Sequence, residues 1–128
     1  MSEPTPNSIE MTPELRKRID AFLDEHSGDA IGGVGTSVLF EDDKVKIWDM
    51  KLEPGQASDL HHHEHDYYLI IFTGDVIAGV PPREQGDPFV FRLSPGVNTV
   101  SVPKGGTEWA LNMGEETYYE ILVELKNT

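Results

Sequence analysis

The chain has 128 residues, ten basic and twenty-three acidic side chains, five histidines and no cysteine, for a formal charge of −13. That length makes one domain, able to bury roughly two-thirds of its unfolded surface. The lack of thiols excludes a disulfide framework, a zinc finger, an iron–sulfur cluster and a cysteine nucleophile. The charge argues against nucleic-acid or anionic-membrane partners. No apolar run approaches the ~20 residues that span a bilayer. The stretch from Met1 to Asn7 lacks the basic and apolar regions of a signal peptide, so a cytoplasmic protein is expected.

The first eleven residues, with two prolines and little apolar material, read as a loose arm. A helix signal follows. Thr12 suits the cap, Pro13 the first helical position and Glu14 the positive end of the dipole. Leu15, Ile19, Phe22 and Leu23 recur at helical spacing and form one apolar stripe, expected to pack on the outside of the main body. Ser27-Gly28 and the glycines at 32, 33 and 35 end the helix. Residues 1–34 are therefore assigned to the arm and helix, and residues 35–128 to one β domain.

Beyond Gly35 the pattern changes to short strand-like runs divided by turn residues. Strands are expected at Val38–Phe40, Val45–Leu52, the histidine window, Tyr67–Phe72, Val76–Val80, Phe89–Leu93, Asn98–Val102, Thr107–Asn112 and about Thr117–Leu125. In the last of these, Tyr119, Ile121, Val123 and Leu125 alternate with Tyr118, Glu120 and Glu124. Eight or nine short strands at roughly 8–12-residue spacing, with Gly/Pro turns, indicate an all-β sandwich or barrel.

Four of the five histidines, His61, His62, His63 and His65, fall within five residues. Their β-branched and aromatic flanks favour a strand over a helix. Alternation then places His61, His63 and His65 on one face, with His62 and Glu64 on the other. Imidazoles at i and i+2, on Cα atoms about 6.5–7 Å apart, can share one ion, whereas His61 and His65, about 13 Å apart, cannot. A metal here takes one adjacent pair plus oxygen ligands from elsewhere, a set suited to Fe(II), Mn(II), Ni(II) or Zn(II). The alternative is a solvated edge whose imidazoles ease carboxylate repulsion.

Spacing then becomes specific. Gly55, five residues, His61, one residue, His63, three residues, Tyr67, six residues and Gly74 resemble the first cupin motif, with Tyr67 where Glu is usual. Gly96, then Pro103-Lys104-Gly105, two residues, Glu108, three residues and Asn112 resemble the second, with Glu108 where His is usual. The resemblance covers about residues 36–125 and is to small single-domain cupins. It implies a double-stranded β-helix, a jelly roll of two sheets, with a metal inside its mouth.

The residues carried over are His61 and His63 as imidazole ligands. Glu108 either completes a His61/His63/Glu108 triad or is merely a strand residue in a decayed motif. A buried carboxylate without a cation is costly, which favours the ligand role if it points inward. Tyr67 is open between a metal ligand, a hydroxyl that bonds substrate or a metal-bound water, and a core aromatic. His65 is a candidate general base at the pocket rim, Arg83 or Arg92 a contact for a substrate carboxylate, and Trp48, Met50 and Trp109 interior lining. Asn112 is expected to close a turn.

The resemblance implies a metal-dependent enzyme acting on a small polar metabolite, as a dioxygenase, isomerase or lyase, with Tyr67 or His65 moving a proton. The competing expectation is a non-enzymatic cupin that binds or senses a small molecule at a degenerate metal site. By the same resemblance the chain is expected to form a homodimer.

Overall fold

The helix signal at Thr12 is realised as α1 (Pro13–His26) in the computed structural model, which describes residues 5–128. The Leu15 amide donates to Thr12 Oγ1 at 3.2 Å, satisfying one of the free N–H groups at the helix start. Ser27 leaves the helix in an extended conformation and Gly28 follows at φ +93°, in the left-handed region that a glycine adopts without a Cβ clash.

Ten strands form, nine of them at the expected places: β1 (Asn7–Ser8), β2 (Ser37–Glu41), β3 (Val45–Leu52), β4 (His61–His62), β5 (Tyr67–Thr73), β6 (Val76–Val80), β7 (Phe89–Arg92), β8 (Asn98–Val102), β9 (Thr107–Asn112) and β10 (Tyr118–Leu125). They form two antiparallel five-stranded sheets, ordered β1-β7-β6-β9-β4 and β2-β3-β10-β5-β8. Two expectations need correction. The arm is not loose throughout: Asn7 and Ser8 pair with Arg92 and Phe91, because the outer edge of β7 offers free backbone groups. The expectation for Met1 to Pro4 lies outside the described residues.

The histidine strand is also shorter than the alternation suggested. Its ladder with β9 covers His61 and His62. His63 then exchanges backbone hydrogen bonds with Gly105 and Gly106, both at 2.9 Å, before the chain turns toward β5.

The first sheet is covered on both sides, which is why all five residues of β6 are buried. On its outer face α1 packs Ile19 and Leu23 against Val76, Ala78, Val80, Val90, Trp109 and Leu111. Full burial of each such aliphatic side chain contributes about 1.5–3 kcal/mol, so the helix stripe is part of the core. Between the sheets, Met50, Leu52, Ile71, Ile77 and Tyr118 form a second cluster. Asn112 closes the turn between β9 and β10, as expected. Its Nδ2 donates to the carbonyls of Leu52 and Glu116, both at 2.9 Å, and its Oδ1 accepts from the Gly114 amide. No helix of the described residues is long and apolar enough to cross a membrane.

Candidate metal centre

His61 and Glu108 are register partners on β4 and β9, so both side chains leave the ladder on the same face, toward the space between the sheets. His63, one pleat further on, joins them. One ligand atom from each of His61, His63 and Glu108 lies within 4.8 Å of the other two. His61 is 2% exposed and His63 3%, whereas His62 is exposed and bonds Thr107 Oγ1 at 2.7 Å.

His61 Nδ1 lies 2.9 Å from the Asp59 carbonyl, an acceptor, so this nitrogen carries the proton. Its Nε2 therefore keeps a lone pair, the arrangement in which a metal-ligating imidazole is oriented by a backbone carbonyl. His63 Nδ1 is buried without a hydrogen-bond partner. Burial pushes the His61 pKa down and that of His63 to about 3, where the positive potential of its histidine neighbours adds to the effect. Both rings are neutral at pH 7, as ligation requires. Burial acts oppositely on Glu108 and raises its carboxyl to about 7, so a cation beside it would relieve a real desolvation cost. Two neutral imidazoles and one carboxylate, converging on one point, fit a divalent transition metal.

Tyr67, at the start of β5, stacks on His63 with ring centroids 3.9 Å apart and planes 15° from parallel. Burial first, and then the charges of Glu108 and Glu120, drive its hydroxyl pKa up. The group therefore retains its proton across the neutral range.

His65 is not brought to this cluster. With the ladder ended and the chain turning, alternation no longer governs its direction, and Nδ1 lies 3.4 Å from the Thr128 carbonyl. The turn instead brings Asp66 into place: its carboxylate accepts from the Lys104 amide at 2.9 Å and ties the loop after His63 to the turn before β9.

Arg83 is also elsewhere, paired with Asp24 on α1 at 2.9 Å, and Arg92 is exposed on β7. Met50 lines the cavity as expected, but Trp109 lies on the opposite face of its sheet, edge-on to Phe22 of α1 at 5.4 Å. Trp48 is half-buried away from the cavity and donates from Nε1 to Glu124.

The cluster opens into a cavity of 610 Å³ between the sheets. Two inward residues with polar groups, Glu120 and Tyr118, were not singled out from the sequence. Glu120, 3% exposed on the central strand β10, stands opposite Met50 and Ile71, both core residues. Its Oε1 accepts from the Tyr118 hydroxyl, while Oε2 is buried without a partner. Desolvation, reinforced by the charge of Glu108 and opposed by the Tyr118 hydrogen bond, raises its pKa to about 7. The signal was the alternation in β10, where Tyr118, Glu120 and Glu124 share one face. A polar strand face looks the same whether it meets solvent or a polar site.

The same architecture occurs in solved structures. A cupin domain from Bordetella pertussis superposes with a TM-score of 0.59 at 19% identity, over 74% of this chain and 99% of that one. A conserved protein with a double-stranded β-helix domain from Klebsiella pneumoniae gives 0.55 at 19%, over 81% and 86%. The chain has the cupin fold. An RmlC-like cupin family protein from Methanocaldococcus jannaschii, at 0.50 and 18% identity over 73% and 93%, adds a third example of that fold. No protein-family model and no curated protein matches the sequence. In this cupin barrel the motif glycines do conformational work: Gly74, for example, sits at φ +125° between β5 and β6.

Proposed function

We propose that this cupin is a metal-dependent enzyme whose ion is held by His61, His63 and Glu108, and which acts on a small oxygen-bearing molecule. The observation that carries the reading is the convergence of these three donors within 4.8 Å, inside a cavity large enough for a substrate. Two imidazoles and one carboxylate leave coordination positions open, and a bound divalent metal there would supply Lewis-acid polarisation of a substrate oxygen.

The chain's own groups do the rest. The Asp59 carbonyl holds His61 in the tautomer that presents Nε2. The Tyr67 ring fixes the plane of His63, and its protonated hydroxyl in the cavity is the proposed proton donor to substrate. Glu120, with one oxygen engaged by Tyr118 and the other free, is a proton acceptor or donor in the same space. His65 takes no part in this proposal. Tyr67 enters it through its hydroxyl, which faces the cavity.

The reading is tested by metal analysis of untagged protein, followed by anomalous scattering from crystals. A stoichiometric ion located between His61, His63 and Glu108 supports it. Metal that persists unchanged in a His61→Ala/His63→Ala double variant would sink it. Protein without metal that still binds a metabolite would favour a binding or sensing role instead.

A homodimer is proposed as well. Strand β2 ends its sheet and exposes three consecutive apolar residues, Val38 at 45%, Leu39 at 52% and Phe40 at 52%. An apolar edge of this kind invites pairing with another strand, and a second copy of this chain is the proposed occupant.

A further inference from the structure

The chemistry of the cavity wall narrows the ligand beyond any oxygen-bearing molecule. Apart from the histidines, Tyr67, Tyr118 and the two glutamates, the lining is dominated by side chains such as Met50, Leu69, Ile71, Ile77, Phe91 and Val100. Among the described residues no lysine or arginine lines it. Its two carboxyl groups are those of Glu108 and Glu120. A substrate with several carboxylates or phosphates would meet an apolar wall and two acidic groups, with the proposed metal ion alone to offset its desolvation.

An apolar body, by contrast, gains from the wall roughly in proportion to the area it buries. The volume, 610 Å³, lies within the ~300–1,000 Å³ of sites that enclose drug-sized molecules. Besides His63 Nδ1, the cavity residues leave one polar atom unfilled: Glu120 Oε2 is buried and without a partner, while Oε1 is anchored by Tyr118. A buried polar atom of this kind is costly unless a partner arrives.

We propose that the cavity takes a predominantly apolar molecule carrying a single hydroxyl head group, which donates a hydrogen bond to Glu120 Oε2. The assignment replaces the small polar metabolite expected from sequence with an amphipathic one. It deepens the reading of this cavity as the reaction site and rests on that reading for the place of the chemistry. Glu120 is thereby a specificity-determining residue.

The test is calorimetric titration of the full-length untagged chain, as purified and after stripping with EDTA, with 2-naphthol as the apolar single-hydroxyl probe and oxalate as the small dianion. Saturable one-to-one binding of 2-naphthol in both forms is expected, with oxalate at least about tenfold weaker in the stripped form. Removing the acceptor costs about a factor of ten, so Glu120→Leu should weaken 2-naphthol by about that much. Ala110→Leu, which fills cavity space from β9, should weaken it as well while circular dichroism stays unchanged.

Failure of 2-naphthol to saturate, or oxalate binding the stripped protein as tightly, would overturn the proposal and leave the metal reading standing. So would 2-naphthol affinity that is indifferent to both substitutions. The opposite result, 2-naphthol bound in protein that never carries metal, upholds the ligand class and removes the metal reading.

Discussion

His61 and Glu108 lie directly opposite one another on the β4–β9 ladder, so one backbone register delivers an imidazole and a carboxylate to the same face of the sheet. A slip of β4 by one residue would point His61 away from the cavity and leave Glu108 without it. The first and second motif segments are thus coupled by strand pairing, and His63 is added by the Gly105–Gly106 backbone that holds its own amide and carbonyl.

Removing a ligand should be felt in metal content before anything else. Glu108→Gln keeps the volume and the ladder but removes the anionic donor. Its metal affinity should fall beyond the roughly 10–100-fold that losing an outer hydrogen-bond partner costs. Titration with a competing chelator measures this, and unchanged affinity would move the site away from Glu108.

The buried Glu120 makes stability depend on pH in a direction opposite to that of an ordinary salt-bridged carboxylate. Its pKa rises from 4.5 to about 7 on folding, so the folded chain binds more protons than the unfolded one between those values. Its stabilising contribution is full below 4.5 and is lost as pH rises through about 7. Metal-stripped Glu120→Gln, which keeps the Tyr118 contact, should therefore exceed the wild type above pH 7.5 by on the order of 2–3 kcal/mol and lose that advantage near pH 4. Urea unfolding of both proteins across this range checks it; parallel profiles would show that Glu120 ionises freely.

Gly79 holds a space that no other residue would leave. A Cβ there would collide with the Phe89 ring, its cross-strand partner, and come within 2.9 Å of Glu108 Oε2. Gly79→Ala should cost about 1–3 kcal/mol through overpacking and also lower metal affinity by displacing Glu108. Thermal unfolding and chelator competition measured together separate the two effects.

Asn112 is fully buried and serves three backbone groups, among them the Leu52 carbonyl on the other sheet. Asn112→Ala leaves those groups without side-chain partners and should destabilise the fold by about 2–4 kcal/mol. Chemical denaturation gives the value; a loss under ~0.5 kcal/mol would mean that water replaces the amide.

For the proposed pairing along β2, a lysine at an exposed edge position is the discriminating change. Leu39→Lys and Phe40→Lys together should convert a dimer to a monomer in multi-angle light scattering, because two charges would have to be buried in the pairing. Wild-type protein that is monomeric at high concentration removes the dimer outright.

Strand positions and the helix were legible because the signals are local. Alternation, Pro/Gly turns and the Thr12-Pro13-Glu14 start act over a few residues, and β3, β6, β8 and β9 begin and end at the residues that pattern indicates. His61, His63 and Glu108 were legible as a set through motif spacing. His65 was not, because its placement depends on where a ladder stops, which Gly105 and Gly106 decide from about forty residues away and the Asp66–Lys104 bond fixes.

The sequence by itself determined an acidic, thiol-free β domain whose imidazole pair needs oxygen for any third ligand, because donor types and strand periodicity are properties of the chain. Which side of β10 faces inward, and therefore that Glu120 enters the cavity while Ile121 does not, was settled only by tertiary structure. So was the burial of Trp109 under α1 instead of in the cavity. A strand's two faces are equivalent until a partner sheet covers one of them, and that choice depends on the packing of the whole barrel.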